Sequence, residues 1–345
     1  MYTLVCGQSL DIVSHFVNST FIDSPRALSL GANDTGTHVY MTALDSNTLV
    51  VIDVEDPEQP ELVGVVSDLQ NLEGPAGVAA SPQGDIIFVT GRYSDSLAAV
   101  NISDPSNPHV VGVVSDSTNM ENPADLVVSA DGNYVYVAAV VSDSIVVVGV
   151  SDPTQPTVLG VISDSTNLDG AHGIGLSPDG NYVYVAGAVS DSIAVVDVTD
   201  PTSPVIVGAI TGDSTNMNAP HGLGVDPAGK YVYVVGRDSD SFAVVDVQSP
   251  SDPFVVGSIV GNVTHLDGPR KAAVAPDGSV VYVTVGSSDS LAIVDVENPA
   301  RPTVVLSVDE LDFAWGLALS AKGDYAYVGT INDDSLVIVE TCETY

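Results

Sequence analysis

One unit of this chain recurs seven times, and that recurrence constrains the fold more than any other feature. Around the tyrosines Tyr134, Tyr182 and Tyr231 runs a segment of 45 to 49 residues that reads, in its fourth copy, "HGIGLSPDG", "NYVYVAG", "DSIAVVDV", "DPTSPVIVGAIT". Each piece is a short run of β-branched, aromatic and small residues closed by Gly, Pro, Asp, Asn or Ser, the mark of a strand bounded by turns. No helical periodicity of useful length interrupts the pattern. Second strands are expected to start near His38, Ile86, Tyr134, Tyr182, Tyr231, Val280 and Tyr325. One four-stranded sheet cannot bury both faces alone, so four strands per unit with a period in the forties specify a β-propeller. The expected fold is all-β: seven four-stranded antiparallel blades, residues 1–345 forming a single domain.

The last unit stops three strands in, after "DDSLVIVETCETY". The segment "LDIVSHFV" near the start aligns with "PVIVGAIT". Residues about 9–17 are therefore expected to supply the outer strand of the blade formed by about 313–343. Aligning both ends with the fourth blade puts Cys342 over Thr199 and Cys6 over Asp200. That register brings the two cysteines within reach of a disulfide. A Cys6–Cys342 bond would close almost the whole chain, worth of order 4–5 kcal/mol in the chain-entropy model. It would also imply an oxidising compartment.

Formal charge is −37, from 8 Lys and Arg against 45 Asp and Glu, while 45% of residues are hydrophobic. So much apolar material rules out disorder by charge and pushes the acid to the surface. Such a surface repels phosphates, so nucleic acid is excluded as a partner, and no apolar run is long enough to span a bilayer. The opening "MYTLVCGQSLDIVSHFVNST" lacks a basic n-region and a continuous apolar stretch, so it does not read as a signal peptide. Acid in this density suits high salt, divalent cations or an extracellular setting. Sequons at Asn18, Asn33, Asn101 and Asn262 are compatible with the last.

"SLAIVDVENPARPTVV" (Ser290–Val305) and "SIAVVDVTDPTSPVIV" (Ser192–Val207) resemble LVIVD repeats, and "YVYVAG" after "SPDG" resembles the YVTN-type propeller signature. The resemblance covers essentially the whole chain. It implies the propeller fold and a range of roles: surface-layer proteins, adhesion or binding modules and, among related propellers, lactonases. Fold alone chooses none of them.

Propeller topology sorts the loops between two faces. Turns such as "GAVSDS" and connections such as "SDSTNLDGAH" share one face, the top, and the "SPDG" and "TDPTSP" turns share the other. Five of the eight basic residues, Arg26, Arg92, Arg237, Arg270 and Lys271, fall at the top, with His172, His221, His265 and the only tryptophan, Trp315. The residues opening the seven inner strands are Arg26, Ala76, Ala124, His172, His221, Arg270 and Trp315. Five consecutive blades thus carry a large functional side chain at one station of the channel mouth. Its positive character against an acidic shell favours an anionic group such as a carboxylate. Strand alternation offers another reading, with His172 on the face of Ile174 and Leu176 and His221 on that of Leu223 and Val225. A histidine there hydrogen-bonds backbone across blades, as the histidine of WD40-type blades does by resemblance. By the same token, Arg26 and Arg270 would pair with the Asp-rich loops, and Trp315 would be core or rim filler.

Two aspartate series recur. One lies in the second turn of each blade (Asp95, Asp143, Asp191, Asp240, Asp289 and Asp334, with Asn47 in the first), the other in the "SDSTN" loops (Asp68, Asp116, Asp164 and Asp213). Asp in tight turns caps local backbone N–H groups. Calcium (Ca2+) is the alternative use of clustered carboxylates, though no EF-hand-like loop is present. There is no P-loop, dinucleotide fingerprint, HExxH or GxSxG. The expected function is an extracellular or cell-surface binding or self-assembly module without enzymatic activity. Its partner would be protein or carbohydrate, including copies of itself. The rival is a lactonase-like hydrolase or a polysaccharide lyase acting on an anionic sugar, with His172, His221 and Arg270 at work.

Overall fold

The computed structural model describes residues 4–5, 10–31, 37–68, 70–211, 217–261, 265–341 and 343–344, the first and last of these as backbone only. Four-stranded antiparallel sheets repeat seven times, and no α-helix occurs among the described residues. Second strands begin at His38, Ile86, Tyr134, Tyr182, Tyr231, Val280 and Tyr325, where the repeat places them. These strands are fully covered, as "YVYVAG" of blade 4 is beyond its first tyrosine, because each packs a sheet on both sides. Their continuous apolar character follows from that double burial.

The core is divided among the seams. Seven apolar clusters each join one blade to the next, such as Tyr136, Ile145 and Val147 of blade 3 with Ile174, Val183 and Val185 of blade 4. The ring closes as the repeat requires. The strand Asp11–Val17 pairs antiparallel with Ser335–Glu340 and completes the seventh sheet, with Asp11 opposite Glu340 and Val17 opposite Ser335. A further two-residue ladder pairs Leu4 with Thr344 and Val5 with Glu343, joining the two ends of the chain. Cys6 and Cys342 lie outside the described residues, as do Asn33, Asp213 and Asn262.

Candidate ligand-binding site at the channel mouth

The second-turn aspartates set where each inner strand begins, and they do so across the seam rather than within their own turn. Asp143 Oδ1 accepts the Gly170 N–H at 3.1 Å, Asp191 the Ala219 N–H at 2.8 Å, and Asp240 the Gly268 N–H at 3.0 Å. The same clip joins Asp95 to Asn122, Asp289 to Phe313, Asn47 to Gly74 and, closing the ring, Asp334 to Ser24. Both partners of every clip have positive φ, between 48° and 71°. Asp and Asn tolerate that left-handed backbone better than most side chains, which explains the residue type. The "SDSTN" aspartates do cap their own loops: Asp116 accepts the Thr118 and Asn119 N–H groups at 3.0 Å and Asp164 those of Thr166 and Asn167. The Asn119 side-chain amide, donating at 2.8 Å, and then the backbone bonds hold the Asp116 carboxyl below the usual range; for Asp164 the Thr166 N–H does so first. Among the described residues no three His, Cys, Asp or Glu side chains converge as a metal site would need.

Just past each clip the inner strand breaks register with its neighbour. The shift occurs in all seven blades, between Ala171 and Ile174 in blade 4 and between Pro220 and Gly222 in blade 5. A bulge of this kind re-aims a side chain. Simple alternation, which puts His172 on the face of Ile174, therefore fails at this station, and the side chains there turn toward the channel. The His172 and His221 rings lie 3.7 Å apart, and His221 meets the edge of Trp315 at 5.2 Å. Close backbone approach makes this stacking possible: a Cβ on Gly173 would stand 2.3 Å from the His221 carbonyl oxygen, so only glycine fits.

The two histidines differ in what they do. His221 Nδ1–H donates to the Arg270 carbonyl of the next blade at 3.1 Å. Thr42 does the same for the Ala76 carbonyl at 2.7 Å and Thr284 for that of Trp315 at 2.8 Å. His221 is thus a seam tie, buried to 2% exposure. His172 is not: its Nδ1 is buried and has no hydrogen-bond partner among the described residues. Burial first, then neighbouring positive charge, pulls both imidazoles well below their ordinary range; Lys271 and Arg92 act on His172, His172 and Lys271 on His221. Both rings are neutral at pH 7.

Trp315 is not rim filler. The Arg26 and Arg270 guanidiniums each lie 4.4 Å from its ring centroid, and Arg270 also sits 5.3 Å from Phe313. Neither arginine pairs with an Asp-rich loop; the Nε of each is buried without a partner among the described residues. Burial first, then neighbouring positive charge, weakens both cations: Arg92 acts on Arg26, and Arg237 and Arg26 act on Arg270, which is lowered to about 10. Stacking on an indole compensates part of that cost. Arg92 donates Nε–H to the amide oxygen of Asn122 at 2.7 Å, a neutral partner.

The other sequence candidates separate from this cluster. Arg237 chelates its neighbour Asp238 at 2.7 and 3.2 Å on the exposed rim. His265 faces Asp309 at 3.1 Å. Lys271 reaches across the channel from blade 6 to the carboxylate of Asp125 in blade 3, both largely buried. Asp125 is the functional residue the sequence reading missed. Its signal was present: the position after the station is Ala27, Gly77, Gly173, Gly222 or Gly316 in the other blades, and charged only at Asp125 and Lys271.

A mouth with guanidiniums stacked on an aromatic floor, on a propeller of this topology, can be compared with known proteins. The family model described as "Lactonase, 7-bladed beta-propeller" matches residues 23–156 and 152–253. The chain belongs to that family. A second model, the LVIVD repeat, matches residues 274–310 and 315–340. No curated protein matches. Among solved structures, Kuenenia stuttgartiensis hydrazine synthase is similar over 99% of both chains, with a TM-score of 0.72 and 15% identity. The Cps50 (Swd1) β-propeller domain of Myceliophteria thermophila covers 96% of this chain and 99% of its own, with a TM-score of 0.75 and 11% identity. A functionally unknown protein from Desulfotomaculum acetoxidans covers 85% of this chain and 88% of its own, with a TM-score of 0.69 and 16% identity. At such identities these likenesses concern the fold alone.

Proposed function

We propose that this lactonase-family propeller is a binding module whose channel mouth takes up a carboxylate-bearing ligand, such as an acidic carbohydrate or the acidic group of a protein partner. The observation that carries the reading is the Arg26–Trp315–Arg270 stack, with both guanidiniums 4.4 Å from the ring and neither paired with a carboxylate among the described residues. In a chain of net charge −37, three of the five arginines, Arg26, Arg92 and Arg270, gather here. Maintaining that concentration of like charge is costly, and an anion offsets it through charge-assisted hydrogen bonds. Display outside the cell fits the acidic composition, and the ladder joining the chain ends supports a Cys6–Cys342 disulfide there.

Calorimetry with galacturonate tests the reading. The wild-type protein is expected to bind one equivalent, and Arg26→Met with Arg270→Met to weaken binding by about 100-fold, on the scale of two charge-assisted bonds. Equal affinity of the double variant would overturn it.

A second reading is favoured by the family match and by His172, a neutral imidazole with an unpartnered nitrogen beside guanidiniums. In lactone hydrolysis His172 would take a proton from water as it adds to the carbonyl. An arginine would hold the developing oxyanion, and the ring C–O bond would break with the proton passing to the leaving oxygen. Turnover of an aldonolactone that disappears in His172→Ala while galacturonate binding persists selects this reading; no turnover in the wild type removes it.

A further inference from the structure

On the face opposite the mouth, the seam between blades 5 and 6 opens into a groove of about 680 Å³. The neighbouring seam between blades 4 and 5 holds 240 Å³. Several hundred cubic ångströms is the scale of small-ligand sites. The larger groove lies where blade 5 departs from the repeat.

In blades 3 and 4 the bottom turn reads "SADG" and "SPDG". Ser129 and Ser177 donate to Asp131 and Asp179 at 2.6 and 2.5 Å, and each hydroxyl accepts the N–H of the following tyrosine at 2.9 Å. The carboxylates also accept from Asn133 and Asn181, so every group there is satisfied. Blade 5 reads "DPAG": Ala228 stands in the aspartate's place and Asp226 in the serine's. The carboxylate has moved from the turn tip to the strand end, and only 8% of the residue is exposed. Its Oδ2 accepts the Lys230 N–H at 3.0 Å, the counterpart of the Asn181 N–H that Asp179 takes in blade 4. Its Oδ1 has no partner among the described residues and borders the groove, facing Gly278.

A carboxylate oxygen on a groove wall with no cation against it is a ready acceptor for one. The Lys230 ammonium is exposed and forms no ion pair with it among the described residues. The Tyr233 phenol lies beside Asp226; burial and that charge keep it protonated. Tyr231 lends a ring wall, and the exposed Asp277 and Glu297 line the rim. A carboxylate acceptor, a hydroxyl oxygen and an aromatic wall within an acidic rim form a receptor for an N–H-bearing cation.

We propose that this groove binds a small organic ammonium compound, its –NH3+ donating to Asp226 Oδ1 and the Tyr233 hydroxyl oxygen and its carbon skeleton lying along Tyr231. The site is independent of the mouth and of the reading given to it.

Calorimetry of the full chain with propylamine at neutral pH tests the proposal, with tetramethylammonium, a cation without N–H, as control. Saturable one-to-one binding of propylammonium alone is expected. Asp226→Ser with Ala228→Asp restores the motif of blade 4, so the variant should fold with an unchanged melting temperature; its affinity is expected to fall about tenfold or more. Asp179→Ser, which removes the same charge at the next seam, should leave binding intact. Equal binding of tetramethylammonium, an equal loss in Asp179→Ser, or unchanged affinity in the Asp226 variant would each overturn the proposal.

Discussion

Removing Asp125 should cost more than removing its partner Lys271, and the difference measures how positive the mouth is. The pair spans the channel between blades 3 and 6, with side-chain exposures of 14% for Asp125 and 18% for Lys271. Asp125→Ala strands an ammonium whose charge already reaches both His172 and His221, in a cluster with Arg26, Arg92 and Arg270. Breaking a fully buried pair costs about 3–5 kcal/mol; with this residual exposure about 2–3 kcal/mol is expected. For a domain of 345 residues that is a fall in Tm of about 3–4 °C, from an unfolding entropy of about 2.1 cal/mol/K per residue. Lys271→Ala leaves a lone carboxylate in a mouth that is otherwise rich in cations, so a smaller cost of about 1 kcal/mol is expected. The double variant should cost less than the sum of the two. Calorimetric melting and urea unfolding read these values. Added galacturonate should restore more stability to Asp125→Ala than to the wild type, because the ligand then replaces the missing negative charge. The reasoning is refuted if Lys271→Ala is the more damaging change, or if the two single costs simply add.

Three further outcomes follow. The imidazoles of His172 and His221 titrate below the ordinary 6.5, so below that pH the unfolded chain takes up protons that the fold refuses. The contribution of these two groups to stability should be constant above pH 6.5 and fall by up to about 1.4 kcal/mol per pH unit for each histidine as the pH drops below it; His172→Gln with His221→Gln should flatten urea-midpoint curves there. Asp191→Ala removes one seam clip and puts a Cβ-bearing residue without a side-chain acceptor at φ 49°. It is expected to cost about 1–2 kcal/mol in urea unfolding, and Asp191→Asn much less. Non-reducing mass spectrometry of freshly isolated protein should find the Cys6 and Cys342 peptides linked, with a melting temperature that drops on reduction; two free thiols would contradict the oxidising compartment.

The propeller was legible because strand spacing and turn residues are local and repeat seven times; one weak unit is read by its neighbours. The clasp followed from counting strands. The channel station was legible as equivalent positions, but what those residues do was not. Alternation misplaced His172 because the register shift after Ala171 is a backbone feature with no residue of its own. Trp315 looked like filler because equivalence across blades says nothing about which ring lies between which cations. The aspartate clips carried a usable signal that went unread. Asp95 and Asn122, like Asp143 and Gly170, stand 27 residues apart, one turn and the residue before the next inner strand. Asp226 was visible as "DPAG" among "SPDG" turns, but only the unpartnered oxygen and the groove beside it give that exchange a meaning.

Everything proposed for the mouth depends on whether the stack of Arg26, Trp315 and Arg270 receives an anion. A crystal structure of the protein with galacturonate measures this most directly. Its carboxylate is expected at the mouth, within hydrogen-bond distance of both guanidiniums, with Trp315 still between them and the Lys271–Asp125 pair intact. Galacturonate seated elsewhere on the molecule, or at the mouth with its carboxylate turned away from both arginines, would contradict the proposal.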